Sequence, residues 1–262
     1  MSMYVRLAEG RYLASEHTQG PWDPATQHMG PVTALIVHEL ARAAPRPGLE
    51  LSRLVVDVFA PVPVAELEIA TEVARDGKRV QCLTASVSSG GREYARASAW
   101  RIRELREAGT PATPVPGPPA PVPPHGSGTG AQARSWLGSG FGYGRALDWR
   151  FVAGGPMELG PATVWGRLTI PLVEGEEMTP LERLAVFADS GNGVSFALDF
   201  ATHVFVNVDL TISLFRSPEG EWICMDAETV IGPSGRGLTR STLYDEAGQV
   251  GTATQTLFVA PR

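Results

Sequence analysis

The sequence predicts an α+β protein in which two antiparallel sheets are each wrapped around one mostly buried helix. Two observations predict this fold class. The chain repeats one order of elements, a helix followed by strand-like runs, and a proline-rich segment separates the two copies. The 262 residues are 43% hydrophobic and 19% charged, which is typical of a soluble globular protein with a sizeable core.

The first copy begins with an amphipathic helix over residues 30–42. A proline stands near its start, and Leu35, Ile36 and Leu40 fall on one face. Strand-like runs follow, and turn residues separate the later ones. These runs cover residues 53–59, 65–73, 80–87 and 92–100.

The second copy begins with a helix at Pro180 and repeats the plan. Its strand-like runs cover residues 204–215, 222–230, 237–244 and 250–258. Val56-Asp57 in the first copy matches Val208-Asp209 in the second. We therefore predict an N-terminal domain over residues 1–105 and a C-terminal domain over residues 133–262.

The segment between the copies, residues 106–132, is rich in proline and has neither helical nor strand periodicity. We interpret it as a semi-extended linker between the two domains. A ligand for a proline-binding module is the alternative interpretation.

Charge and motif content exclude several classes of function. A net charge of -6 argues against nucleic acid or an anionic membrane as the main partner. The first ten residues lack the apolar core of a signal peptide, and no apolar run approaches the ~20 residues that span a bilayer. We expect a cytoplasmic protein. Metal-type His/Cys spacing, phosphate-binding glycine motifs and a Gly-x-Ser-x-Gly elbow are absent, so we expect no metal, no cofactor and no serine nucleophile.

One acid stands out in the second helix. Residues 184–188 are all apolar, and Asp189 follows them directly. Burying a carboxylate without partners costs several kcal/mol, so this side chain must be hydrogen-bonded, paired or used in chemistry. The alternative is that residues 189–193, Asp-Ser-Gly-Asn-Gly, form a turn in which Asp189 bonds the local backbone.

Four segments together resemble a known family. They are residues 28–35 (His-Met-Gly-Pro-Val-Thr-Ala-Leu), 184–193, 207–211 (Asn-Val-Asp-Leu-Thr) and 251–258 (Gly-Thr-Ala-Thr-Gln-Thr-Leu-Phe). Their order and spacing resemble the double-hotdog acyl-CoA thioesterases of the thioesterase II type over nearly the entire chain. The resemblance implies a double hotdog fold, a role in lipid metabolism and an acyl-CoA or related acyl-thioester substrate. The edges and faces of hotdog sheets also favour a homo-oligomer.

The resemblance further implies a catalytic constellation. Asp189 corresponds to the family's general base, and Asn207 and Gln255 correspond to the polar groups that hold the attacking water. Alternation along the last strand places Gln255 on the same face as Ala253 and Leu257. Asn207 stands where the enterobacterial pattern has threonine.

The start of the first helix matches the family's His-Gly-Gly segment. His28, Met29 and Gly30 are therefore candidate oxyanion or substrate-binding residues, because free backbone N–H groups and the helix dipole favour a negatively charged oxygen there. Met29 departs from the family's glycine.

These departures leave other functions open. A non-catalytic protein that binds acyl thioesters or lipid-like ligands is one alternative, and another hotdog activity such as a dehydratase is a second. When the two halves are aligned without gaps, Val37 corresponds to Asp189 and Ser98 corresponds to Gln255. We therefore predict one site per chain, between the halves.

Overall fold

The computed structural model describes residues 1–105, 112–115, 121, 140–156 and 158–262. Apart from residues 112–115 and 121, the predicted linker over residues 106–132 lies outside the described residues. The helices are α1 (Met29–Arg42), α2 (Gly142–Arg145), α3 (Pro180–Ala188) and α4 (Gly191–Val194). The strands are β1 (Tyr4–Ala8), β2 (Arg11–Ala14), β3 (Leu49–Val58), β4 (Glu66–Asp76), β5 (Val80–Ser89), β6 (Arg92–Arg103), β7 (Leu147–Ala153), β8 (Ala162–Leu168), β9 (His203–Asn207), β10 (Asp209–Leu214), β11 (Ile223–Ile231), β12 (Arg236–Asp245) and β13 (Gly248–Pro261).

All the strands of the described residues belong to one antiparallel sheet. Its order is β1-β2-β4-β5-β6-β3-β10-β13-β12-β11-β8-β7, and β9 pairs with β13 beside this path. This differs from the two sheets that the sequence predicts. The halves join where β3 pairs with β10, from Asp57 opposite Asp209 to Arg53 opposite Ser213. The two halves form one sheet because β3 and β10 would each otherwise leave a row of backbone N–H and C=O groups unpaired.

The predicted helix starts and most predicted strands agree with the structure to within a few residues. Strands β1, β2, β7 and β8 are not among the predicted runs. Burial along β13 alternates as predicted, since Ala253, Gln255 and Leu257 are buried while Thr256 and Phe258 are exposed.

The run predicted as one strand over residues 204–215 is divided by a bulge at Val208. Asn207 pairs with Leu257 and Thr211 pairs with Thr254. Between these two pairs the β9–β10 segment has one more residue than β13. The carboxylate of Asp209 accepts the backbone N–H of Thr256 at 2.6 Å. Bulges of this kind redirect neighbouring side chains.

Helices α1 and α3 pack against each other in opposite directions. The start of α1 approaches the end of α3, where a Cβ built on Gly30 would lie 2.3 Å from the carbonyl oxygen of Val186. At the other end of the pair, the Nδ1 of His38 lies 2.7 Å from Glu182 Oε1. Arg6 bonds the Nε2 of His38 at 2.7 Å, and since arginine only donates, Nδ1 must carry the hydrogen donated to Glu182.

An ion pair between Arg216 and the buried Asp245 lies at the end of strands β10, β13 and β12. Arg216 donates to both carboxylate oxygens of Asp245, at 2.6 and 2.5 Å, and the backbone N–H groups of Glu219 and Ala247 donate to the same carboxylate. Burial alone would raise the pKa of Asp245, but the hydrogen bonds from Arg216 and the two N–H groups outweigh it and hold the pKa below its usual value.

We expect Asp245→Asn to lower the free energy of unfolding by about 3 kcal/mol near neutral pH, because it leaves a partly buried arginine without its charge partner. A lowered folded-state pKa stabilises the protein above the unfolded pKa of about 4, and this contribution is lost as the pH falls through the folded value. Denaturant unfolding at several pH values should therefore show the difference between wild type and variant shrinking below about pH 4.

The control for this prediction is Asp23→Asn, which changes an exposed aspartate whose carboxylate accepts the backbone N–H of Ala25. A difference between wild type and Asp245→Asn that stayed constant from neutral to acid pH would contradict the assigned charge pairing.

Within the described ranges, no helix is both long and apolar enough to cross a membrane.

Candidate active site

Asp189 lies at the C-cap of α3 and is only 3% exposed. The helix ends here rather than continuing through the glycines that follow, and the short helix α4 begins at Gly191. The negative end of the helix dipole disfavours a carboxylate at this position. A buried carboxylate here therefore needs hydrogen-bond donors from other elements.

Two side-chain amides from the sheet donate to Asp189. The Nδ2 of Asn207, at the end of β9, lies 2.9 Å from Oδ1. The Nε2 of Gln255, on β13, lies 3.2 Å from Oδ1 and 3.0 Å from the backbone oxygen of Asp189. The amide of Gln255 is oriented by the backbone N–H of Asn192, which donates to its Oε1 at 3.0 Å. The three residues that the family resemblance groups together are thus in direct contact.

His28 reaches the other carboxylate oxygen from the first half of the chain. As the N-cap of α1, its Nδ1 accepts the backbone N–H of Gly30 at 3.0 Å, and the same nitrogen lies 3.1 Å from Oδ2 of Asp189. An imidazole nitrogen either carries a hydrogen or offers a lone pair. Nδ1 can therefore either accept from Gly30 or donate to Oδ2, and in the tautomer with hydrogen on Nδ1 it donates to Asp189. The N–H of Gly30 then has no acceptor at that nitrogen.

Tyr143 is a part of the site that the sequence does not reveal. Its ring stacks on the His28 ring with a centroid distance of 3.9 Å and an interplanar angle of 13°. It lies on α2, a single turn of helix. No local sequence signal distinguishes this tyrosine from a core residue.

Met29 is 9% exposed and belongs to the main hydrophobic core, next to His28 and Gly30 at the start of α1. Its role in substrate binding stays a prediction. Val37, the gap-free counterpart of Asp189, is also a core residue. The N-terminal half has a different arrangement at the end of α1. There the guanidinium of Arg101 donates to the backbone oxygens of Leu40 and Ala43.

The arrangement suits a base that acts on water. An ionised carboxylate offers about four acceptor positions. Asn207 and Gln255 donate to Oδ1, and in the tautomer with hydrogen on Nδ1 His28 donates to Oδ2, which leaves one position on Oδ2 for a further hydrogen. Among the described residues, no group of His, Cys, Asp and Glu side chains is arranged to hold a metal ion.

Two family models match the chain. A family model of the acyl-CoA thioesterase N-terminal domain matches residues 18–102, and a model of the acyl-CoA thioesterase C-terminal domain matches residues 114–259. No curated protein matches the sequence.

Several solved structures share the fold. A protein from Novosphingobium aromaticivorans, provisionally named a thioesterase, is 20% identical with a TM-score of 0.72, and the alignment covers 98% of each chain. Acyl-CoA thioesterase II from Mycobacterium marinum is 15% identical with a TM-score of 0.67, covering 99% of this chain and 95% of that one. A protein from Alicyclobacillus acidocaldarius with the hot dog fold is 15% identical with a TM-score of 0.68, covering 95% of this chain and 92% of that one.

Proposed function

Because this chain belongs to the acyl-CoA thioesterase family, we propose that it hydrolyses acyl-CoA or a related acyl thioester, with Asp189 as the general base. The observation that carries the proposal is the buried carboxylate of Asp189, which accepts from the amides of Asn207 and Gln255 and faces Nδ1 of His28. Such a carboxylate is fixed in orientation and keeps one free acceptor position.

The proposed reaction needs no covalent intermediate with the protein. A water molecule donates one proton to Asp189, and its oxygen attacks the thioester carbonyl carbon. The carbon–sulfur bond then breaks, the proton passes to the departing thiolate, and the products are a carboxylic acid and a free thiol. Asn207 and Gln255 hold Oδ1, so that the carboxylate keeps one orientation through the cycle.

The proposed oxyanion donor is the backbone N–H of Gly30. While Asp189 is ionised, His28 donates from Nδ1 to Oδ2, and this releases the N–H of Gly30 from its bond to that nitrogen. The N–H lies at the start of α1, where the helix dipole also favours a negatively charged oxygen. His28 thus acts by orienting the base and by releasing the donor, rather than by attacking the substrate.

We also propose that the chain consists of two hotdog units over residues 1–105 and 133–262, which makes it a double hotdog. The separate matches of the N- and C-terminal domain models support this division. In each half one helix packs against its strands, and at the junction His28 from the first half contacts Asp189 from the second while Gly30 faces the backbone oxygen of Val186. The proposal implies one active site per chain, between the units.

The proposed function is tested by incubating the purified protein with acyl-CoAs of different chain length and measuring free thiol with a colorimetric reagent. We expect thiol release that increases with enzyme concentration. Tight binding of acyl-CoA without thiol release would overturn the proposal and favour the non-catalytic binding protein. Conversion of the acyl group without loss of CoA, seen by mass spectrometry, would favour another hotdog activity such as a dehydratase.

We expect Asn207→Ala to lower kcat by about 10- to 100-fold, because it removes one of the donors that orient Asp189. Asn207→Thr should keep kcat within about 10-fold of the wild type, since a hydroxyl can also donate to Oδ1. Thiol release by both variants tests this difference.

Ser213→Ala, on the neighbouring strand β10 and facing solvent, is the matched control for Asn207. Full activity of Asn207→Ala would show that Asp189 does not depend on this amide.

A further inference from the structure

Tyr143 has two sets of contacts that meet at the proposed active site. One face of its ring is stacked on the His28 ring, which belongs to the other half of the chain. Its hydroxyl group donates to the backbone oxygen of Val186 at 2.9 Å and lies 2.7 Å from Ser190 Oγ. Because a phenol has only one hydrogen, Ser190 is the donor in the second contact. Tyr143 therefore joins His28 to the segment that carries Asp189.

The hydroxyl of Tyr143 remains a donor over the whole working range of pH. Burial raises the pKa of Tyr143 far above its ordinary value, and the side chain is 1% exposed. The phenol therefore keeps this hydrogen, and its bond to Val186 is one of several contacts that place the ring beside the last turn of α3. Val186 is also the residue whose backbone oxygen faces Gly30.

The backbone around Tyr143 is held by the segment that carries His28. The N–H of Tyr143 donates to Gln19 O at 3.0 Å, and the N–H of His28 donates to Thr18 O at 2.8 Å. Gly142 allows this approach, because a Cβ built there would lie 1.7 Å from the backbone oxygen of Glu16. Both aromatic rings are thus fixed to neighbouring residues of one short segment.

We propose that Tyr143 is a positioning residue, which holds the His28 ring in the plane that directs Nδ1 toward Asp189. The stack leaves the ring edge free, and Nδ1 on that edge lies between Asp189 Oδ2 and the nitrogen of Gly30. Rotation of the imidazole about its bond to Cβ would move Nδ1 away from both partners. A flat aromatic surface at 3.9 Å opposes that rotation, and an aliphatic side chain does so much less.

Two substitutions separate the ring from the hydroxyl group. Tyr143→Phe keeps the stacked surface, and we expect its kcat to stay within about threefold of the wild type, as a near-isosteric change should allow. Tyr143→Leu removes the flat surface, and we expect kcat to fall by about 10- to 100-fold with little change in KM, as misplacement of a catalytic group does.

The control for loss of a buried ring is Tyr244→Leu. Tyr244 is also buried, at 3% exposed, and belongs to a separate cluster with Trp165 and Cys224. Tyr244→Leu should keep the wild-type kcat although it also loses core packing. Equal losses of kcat in Tyr143→Leu and Tyr244→Leu would overturn the proposal, and so would a Tyr143→Phe variant as impaired as Tyr143→Leu.

The kinetic experiment rests on the proposed function, and a second measurement does not. Nitrogen NMR of histidine-labelled protein reports which ring nitrogen of His28 carries the hydrogen, and His28→Asn identifies its signals among the five histidines. We expect a single tautomer with hydrogen on Nδ1 in the wild type and in Tyr143→Phe, and an averaged mixture in Tyr143→Leu. An unchanged His28 tautomer in Tyr143→Leu would overturn the proposal, whereas absence of thiol release by the wild type would overturn the proposed function alone.

Discussion

Replacing Asp189 with asparagine is expected to lower kcat for thioester hydrolysis by about 10²- to 10⁴-fold, the usual contribution of a positioned general base. Asparagine matches aspartate in shape but cannot take a proton from water. Its oxygen can still accept from Asn207 and Gln255, and its NH₂ group can donate to Nδ1 of His28. We therefore expect the hydrogen-bond network, the binding of acyl-CoA and the free energy of unfolding to change little.

The prediction for Asp189→Asn is checked by thiol release over the acyl-CoA panel, together with denaturant unfolding. The matched control is Asp226→Asn, because Asp226 is partly buried in the same half and bonds only Thr163 among the described side chains. Hydrolysis by Asp189→Asn at the wild-type rate would exclude Asp189 as the base. A large loss of stability would instead indicate that the carboxylate has a structural role.

Replacing Gly30 with alanine is expected to have the second largest effect. The added Cβ would lie 2.3 Å from the backbone oxygen of Val186, which is far inside van der Waals contact. The start of α1 must then move away from the end of α3 by about 1 Å, and such overpacking costs about 1–3 kcal/mol of stability. A displacement of this size lowers catalysis by about 100-fold, because Nδ1 of His28 moves away from Asp189 and the N–H of Gly30 leaves its proposed place beside the substrate.

The experiment for Gly30→Ala measures kcat/KM and the free energy of unfolding side by side. Gly232→Ala is the control, since a Cβ there would meet its nearest neighbour, the backbone oxygen of Arg236, at 3.4 Å. Wild-type kcat/KM in Gly30→Ala would show that the close approach of the two helices is not needed for catalysis.

Local sequence patterns were sufficient for most of the elements. The apolar spacing in residues 30–42 predicted α1, and alternation predicted which face of β13 is buried, including Gln255. The apolar run before Asp189 indicated that this carboxylate is buried. It therefore needs hydrogen-bond partners, because burying an unpaired carboxylate is costly. The partners themselves, Asn207 and Gln255, were named only through the family resemblance.

Features that depend on long-range pairing were beyond the reach of the sequence. The bulge at Val208 arises because β9 and β10 pair with the same strand in registers that differ by one residue. The single sheet arises because β3 and β10, which are far apart in the chain, pair with each other through backbone hydrogen bonds. Neither pairing leaves a signature in a window of neighbouring residues.

The sequence by itself determined an α+β chain with a repeated plan, a helix for each half and one acid that could not be buried without partners. It did so because periodicity, turn residues and burial costs are local properties. Only the tertiary structure decided that the His28 side chain contacts Asp189, that Gly30 faces the backbone oxygen of Val186, and that Tyr143 stacks on His28. Those contacts join residues more than 100 positions apart, and only the packing of α1 against α3 brings them together.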